Sequence, residues 1–357
     1  MPAMYASSSC VSSLLSRHSR MCWPIVFLVA SVMIIEYGVI WCIMSPIGHI
    51  VKKPRPCFFD SRRRSVVQDE VLFTPQMASA VARLNRAVGQ IVKECCRMSC
   101  LDFHLLSSIR SHGGEMTLDE FPCDALGQKN TVVASSAHLF RAGLVEKGRC
   151  SDDGRVVLLR ETEAGACVLK ESYDRLYDGF RSSAWKDIGD SEMREALRAA
   201  VPVLEALGIG EVEINQKCHA VLAPALFMGV SALLRRWEDV VSSFANLSFS
   251  EYRCLALLAN SVAPVSCGLM AAVLSIDRGS ASAIAAKLGR RGMVLSKRGL
   301  DQRYRELALS EKGEAVAALV TSRLGRLTAK LYSGMNALAK AQTNEMHMRI
   351  HTILTSL

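Results

Sequence analysis

From Ser248 the apolar positions fall at helical intervals: Tyr252, Leu255 and Leu258 recur every third residue up to Ala259, and a short polar turn follows. A second short helix is expected to begin over Met270–Leu274 and to close near Asp277. In RGSASAIAAKLGRRG, Ala281, Ile284, Ala285 and Leu288 stand at i, i+3, i+4 and i+7. One face of that helix is therefore apolar, while Arg278, Ser280, Lys287 and Arg291 fall largely elsewhere. Gly292 sits where a helix-ending glycine belongs. MVLSK, a basic turn and RELALS come next, with Leu307 and Leu309 alternating as in a strand. Ser310 is a good N-cap, and Glu311 and Glu314 suit the first turn of a long helix. Helix, turn, helix, two-stranded wing and long helix make a winged helix-turn-helix.

The pattern occurs twice. A shift of 149 residues lays SCLDFHLLSSI, from Ser99, over SFSEYRCLALL, from Ser248. It also puts Leu139 on Leu288, Arg141 on Arg290, Gly143 on Gly292, Val145 on Val294 and Arg149 on Arg298. One deletion in the next turn brings Asp153 onto Asp301, Arg155 onto Arg303 and Gly165 onto Gly313. GQKNTVVASSAHLFRAGLV then takes the recognition-helix place, EKGRCSDDGRVVLLR the wing, and Thr162 the cap of the exit helix. Pro122 is expected to end or kink a preceding helix at about Phe121. Helices over about 163–208 and 214–245, with 74–98 and 311–355, are expected to form a pairing scaffold. The stripe Leu222, Leu226, Val230, Leu233 and Leu234 reads as core. The expected fold is mainly α with small β-wings: two winged helix-turn-helix units on a helical scaffold, a single-chain pseudo-dimer. Residues 66–209 and 210–357 would be the two repeats, preceded by a separate segment over 1–65.

These residues resemble the MarR family of bacterial regulators, whose wing has the form D-x-R followed by alternating apolar residues and an L-(S/T)-E-K-G helix start. Here that is Asp301-Gln302-Arg303 through Leu309-Ser310-Glu311-Lys312-Gly313, with a looser version from Asp153-Gly154-Arg155 through Thr162-Glu163-Ala164-Gly165. The likeness covers residues 75–355 as two consecutive copies. It implies that Asp153 and Asp301 steady the wing tips while Arg155 and Arg303 reach into the minor groove and read its width. It implies, too, a cleft between scaffold and winged domain that holds a small aromatic effector, and two repeats that pair within one chain. The sequence departs from the family at mid-helix: Ala134 and Ala283 stand where a long polar side chain often faces the groove, which thins direct base readout.

Charge sharpens the choice of partner. The formal net charge of +9 divides into +6 over residues 1–65, −4 over 66–209 and +7 over 210–357, so the basic character belongs to the two ends. Duplex DNA is the expected partner, held largely through its phosphates. The candidate contacts are Lys129, Asn130, Thr131, Arg149 and Arg155 in the first copy. In the second they are Arg278, Ser280, Ser282, Lys287, Lys297, Arg298, Arg303 and Arg305, and this copy is expected to carry more of the binding energy. Because the two recognition helices differ, the operator is not expected to be a good palindrome.

Thirteen cysteines without a C-x-x-C pair indicate neither a disulfide framework nor a zinc ribbon, and a cytoplasmic setting fits residues 66–357. Cys95, Cys96 and Cys100 form a cluster best read as idle thiols. His104, His112 and His138 have no second ligand at a metal-binding spacing, and no P-loop, dinucleotide fingerprint or nucleophile motif points to an enzyme or a cofactor. Residues 22–44 are long and apolar enough to cross a bilayer, and the cations that follow, from Lys52 to Arg64, would keep the remainder cytoplasmic. Equally, translation could start near Met77, leaving 1–65 outside the protein. The leading expectation is a transcription regulator without enzymatic activity. A degenerate winged-helix adaptor that binds protein, and a membrane-tethered DNA-binding sensor, stand as alternatives.

Overall fold

A computed structural model of the protein describes residues 73–150, 155–181, 190–215, 224–298, 305–341 and 343. The apolar stretch 22–44 and both wing tips, with Asp153, Asp301 and Arg303, lie outside these residues. Among the described residues no single helix is long and apolar enough to cross a membrane.

The chain opens with α1 (Pro75–Cys96), started by Thr74, whose hydroxyl accepts from Met77 N. The first winged group follows: α2 (Cys100–Ser111), β1 (Glu115–Thr117), α3 (Cys123–Leu126), α4 (Lys129–Arg141), β2 (Val145–Arg149), β3 (Val157–Glu161) and the exit helix α5 (Glu163–Arg181). Helices α6 (Asp190–Ala206) and α7 (Glu211–Asn215) lead to α8 (Pro224–Ala245). The second group is α9 (Phe249–Ala259), β4 (Val265–Ser266), α10 (Cys267–Leu274), α11 (Arg278–Arg290), β5 (Val294–Arg298), β6 (Arg305–Leu309) and α12 (Glu311–Leu331). Each sheet has three antiparallel strands with the last strand in the middle, in the order β1-β3-β2 and β4-β6-β5.

The spacing read from the sequence recurs in the elements. The bounds of α8, α11 and β5 fall 149 residues after those of α1, α4 and β2. Past the wing, β6 falls 148 residues after β3, as the single deletion requires. The local chemistry recurs as well. Ser99 and Ser248 begin α2 and α9 with reciprocal capping boxes to Asp102 and Glu251. Thr162 and Ser310 cap α5 and α12 by accepting from Gly165 N and Gly313 N. Gly143 and Gly292 take positive φ just beyond α4 and α11, where a side chain would be strained.

Two apolar cores result. One is built on Phe103, Leu105, Leu106, Ile109, Leu139, Leu159 and Tyr173 within the first group. The other joins Trp237, Tyr252, Leu255, Leu288, Leu307 and Leu324. Helix α1 serves both: Val88 and Val92 enter the first core, Met77 and Ala78 the second. Helix α8 does likewise, sending Phe227 into the first core and Met228, Leu233 and Trp237 into the second.

Two expectations are corrected. Pro122 does not end a helix; it is the N-cap of α3, and what precedes it is strand β1 and a turn. Its fixed φ suits a helix start, where its missing N–H costs nothing. The long helix expected over 311–355 ends at Leu331, with Tyr332 as C-cap. Of the helix expected over 214–245, residues 216–223 lie outside the described residues, and α8 covers Pro224–Ala245.

Candidate nucleic-acid interface

Helix α11 is set by its ends. Asp277 caps it, accepting from Ser280 N at 2.8 Å and from the Ser280 hydroxyl at 2.5 Å. Those two bonds hold the Asp277 carboxyl below the ordinary carboxylate range. Ala281, Ala285 and Leu288 bury the inner face. Arg278, Ser280, Ser282, Lys287 and Arg290 remain on the exposed side. Ser280 is thus committed to the cap through both its backbone N–H and its hydroxyl, which leaves Arg278 beside it as the group free to meet an anion.

Both groups tether the recognition helix through the acidic residue of the preceding capping box. Asp102, buried in α2, accepts from Ser135 Oγ at 2.5 Å and meets His138 Nδ1 at 3.0 Å. Glu251, buried in α9, meets Lys287 Nζ at 2.7 Å. His138 and Lys287 are equivalent positions at the 149-residue shift. Burial pushes the Glu251 carboxyl up, but the Lys287 hydrogen bond and the Ser248 backbone N–H outweigh it and hold the carboxyl below its usual range. Lys287 is accordingly a strut between α9 and α11.

In the first group, α4 exposes Lys129, Asn130, Thr131, Val133, Ala134, His138, Phe140 and Arg141. Lys129 pairs with Asp119 at 3.0 Å, and the Thr131 hydroxyl donates to Gln128 O at 2.7 Å. Val133 and Phe140 are about half exposed, and Lys147 Nζ lies 5.8 Å from the Phe140 ring centroid. The exposed surface of α4 is therefore more apolar than that of α11, which sequence patterning did not bring out.

Each wing is laid beside its recognition helix by the sheet. Strand β5 pairs with β6 from Val294 opposite Leu309 to Arg298 opposite Arg305. This register gathers Lys297, Arg298 and Arg305 at one end of the strand pair, and Arg303 lies outside the described residues. Exposed Arg278, Arg290 and Lys297 have no ion-pair partner among the described residues. Strand β2 ends likewise at Arg149, opposite Val157, and Arg155 is exposed just before β3. The structure thus brings Arg278, Arg290, Lys297 and Arg305 onto one helix and hairpin, while Lys129 and Lys287 are drawn into ion pairs.

A cavity of about 570 Å³ opens between the first group and the α6–α7 turn, lined by Phe121, Pro122, Lys129, Val212, Glu213 and Arg236 among others. Glu213 is buried there, accepting from the Ser108 hydroxyl at 3.0 Å. Sequence reasoning named His112, Phe121, Pro122 and Lys129 but did not bring them together with Val212, Glu213 and Arg236, because they come from segments far apart in the chain.

No protein-family model matches the chain, and no curated protein matches it. Among solved structures it is similar to MarR-family proteins. A cysteine-to-serine mutant of MarR from E. coli shares 20% identity over 30% of this chain and 79% of that one, with a TM-score of 0.28. CouR from Rhodococcus jostii RHA1, bound to p-coumaroyl-CoA, shares 18% over 33% and 83%, with a TM-score of 0.30. A point mutant of MepR from S. aureus, bound to an oligodeoxyribonucleotide, shares 15% over 35% and 88%, with a TM-score of 0.26. Agreement at this level is a resemblance and nothing more.

Proposed function

We propose that the chain is a non-enzymatic, duplex-DNA-binding transcription regulator in which two fused MarR-like protomers form a pseudo-dimer. The observation that carries the reading is the cation set Arg278, Arg290, Lys297 and Arg305, spread over a recognition helix and the adjoining wing. Recurrence of the same elements 149 residues apart supports the pseudo-dimer. Each unit would take one half-site, about one DNA turn from the other. The second unit supplies most phosphate contacts, and the cleft beside the first is the candidate for a small aromatic effector.

Selection of fragments from sheared genomic DNA by the full chain, followed by anisotropy titration against salt, tests this. Bound fragments with a steep negative dependence of affinity on salt are expected. Absence of any retained duplex at low salt sinks the reading. Exposed Val133 and Phe140 favour one alternative, in which the first unit docks on a protein while the second holds DNA. Val133→Ser with Phe140→Ser would then leave DNA affinity intact and abolish capture of that partner.

A further inference from the structure

The turn that leads into α11 is gripped by three guanidinium groups, two of them from the scaffold. Arg83 and Arg86 lie on α1, almost 190 residues away in sequence from the atoms they reach. Arg83 Nη2 donates to Ala272 O at 3.2 Å and to Val273 O; Arg86 Nη1 donates to Ser275 O. Arg253, buried in α9, donates to Leu274 O at 2.9 Å and reaches back to Ser79 Oγ on α1 at 3.2 Å. Four consecutive carbonyls, 272 to 275, are thus each taken by an arginine. These are the end carbonyls of α10 and its C-cap, at the negative end of the helix dipole; of the four, Ala272 O also accepts from Ser275 N.

No carboxylate among the described residues pairs with any of the three. Burial, helped by Arg86, draws Arg83 down to about 10, and burial with both neighbours does the same to Arg253. Arg83 and Arg253 remain charged at neutral pH, held beside one another by the helix end and, for Arg253, by the Ser79 hydroxyl. The first group lacks the set: at the 149-residue shift Arg253 becomes His104 and Arg83 becomes Ala232, and although Arg86 becomes Arg235, that arginine makes no hydrogen bond to the end of α3 among the described residues.

We propose that Arg83 and Arg86 are positioning residues that latch the second recognition helix, and not the first, to the scaffold. Two residues beyond the gripped carbonyls, Asp277 starts α11, so the latch fixes the point from which that helix is aimed. The effect on DNA rests on the DNA-binding reading above; the effect on α11 does not.

The test uses the full chain carrying Arg83→Gln and Arg86→Gln, with amide hydrogen exchange followed in the absence of DNA. Exchange over residues 275–282 is expected to quicken about tenfold, the size of effect that loss of a charged hydrogen bond produces, while residues 129–135 of α4 hold their rate. If the double variant does not melt cooperatively, Arg86→Gln alone, at an exposed site, is read over the same window. Unchanged exchange in α11, or equal quickening in α4 and α11, overturns the latch. Weaker binding to a selected duplex, also about tenfold, is expected alongside. Should the unaltered chain bind no duplex, the DNA reading falls while the exchange result still decides the latch.

Discussion

Gly165 and Gly313 show how a residue readable in sequence acquires its reason only in three dimensions. Both close the helix start that follows the wing, and a Cβ at either would lie 2.1 Å from Leu144 O or 2.0 Å from Met293 O. The obstructing atoms are backbone and cannot swing away, so Gly313→Ala is expected to cost about 1–3 kcal/mol in chemical denaturation. Asp102 works the other way, by accepting. Its removal strands the Ser99 N–H, the Ser135 hydroxyl and His138 together, and Asp102→Ala is expected to lower stability by about 1–3 kcal/mol on the same measurement. His104 adds a pH dependence that its sequence context did not reveal. Burial against α8 lowers it from 6.5 to about 4, with Nε2 on Ser231 Oγ at 2.9 Å. The unfolded chain therefore takes up that proton first as pH falls. Stability is full above about pH 6.5 and is lost toward pH 4, by at most about 3 kcal/mol, a loss absent from His104→Gln.

Among the elements, those with strong local signals were legible: α11 with its apolar Ala281, Ile284, Ala285 and Leu288, strands in alternation, and capped exit helices. Their bounds follow from Ser, Thr and Asp caps and from Gly143 and Gly292, chemistry that acts within a few residues. What local signals could not settle is what long-range packing decides. Pro122 is equally compatible with stopping one helix and starting another, and strand β1 exists only because β3 lies beside it. Lys129 and Lys287 look alike in sequence to Arg290 and Lys297, yet their partners Asp119 and Glu251 come from other elements. The difference is testable. Arg290→Ala and Lys297→Ala are each expected to reduce the slope of log affinity against log salt by about one, measured by anisotropy. Lys287→Ala is expected to lower the melting temperature as well, since it leaves a buried Glu251 carboxylate without its cation.

On the scale of the whole molecule, the two halves share a plan but differ in surface. The second presents cations without carboxylate partners among the described residues and a turn locked to α1; the first presents Val133, Phe140 and an open cavity. Such inequality suits a lopsided operator better than a mirror-image one. Dividing the chain into 66–209 and 210–357 follows the repeat but not the packing, because α1 leaves Met77 and Ala78 in the far core and α8 leaves Phe227 in the near one. Heating the intact chain should accordingly give one calorimetric transition, whereas a fragment cut at residue 209 should show exposed apolar surface and bind a hydrophobic dye. An ancestor that assembled from two freely diffusing subunits could dissociate on dilution. On the proposed reading, helices that belong to both cores hold the two halves together, and occupancy of DNA would not depend on how many copies the cell holds for pairing.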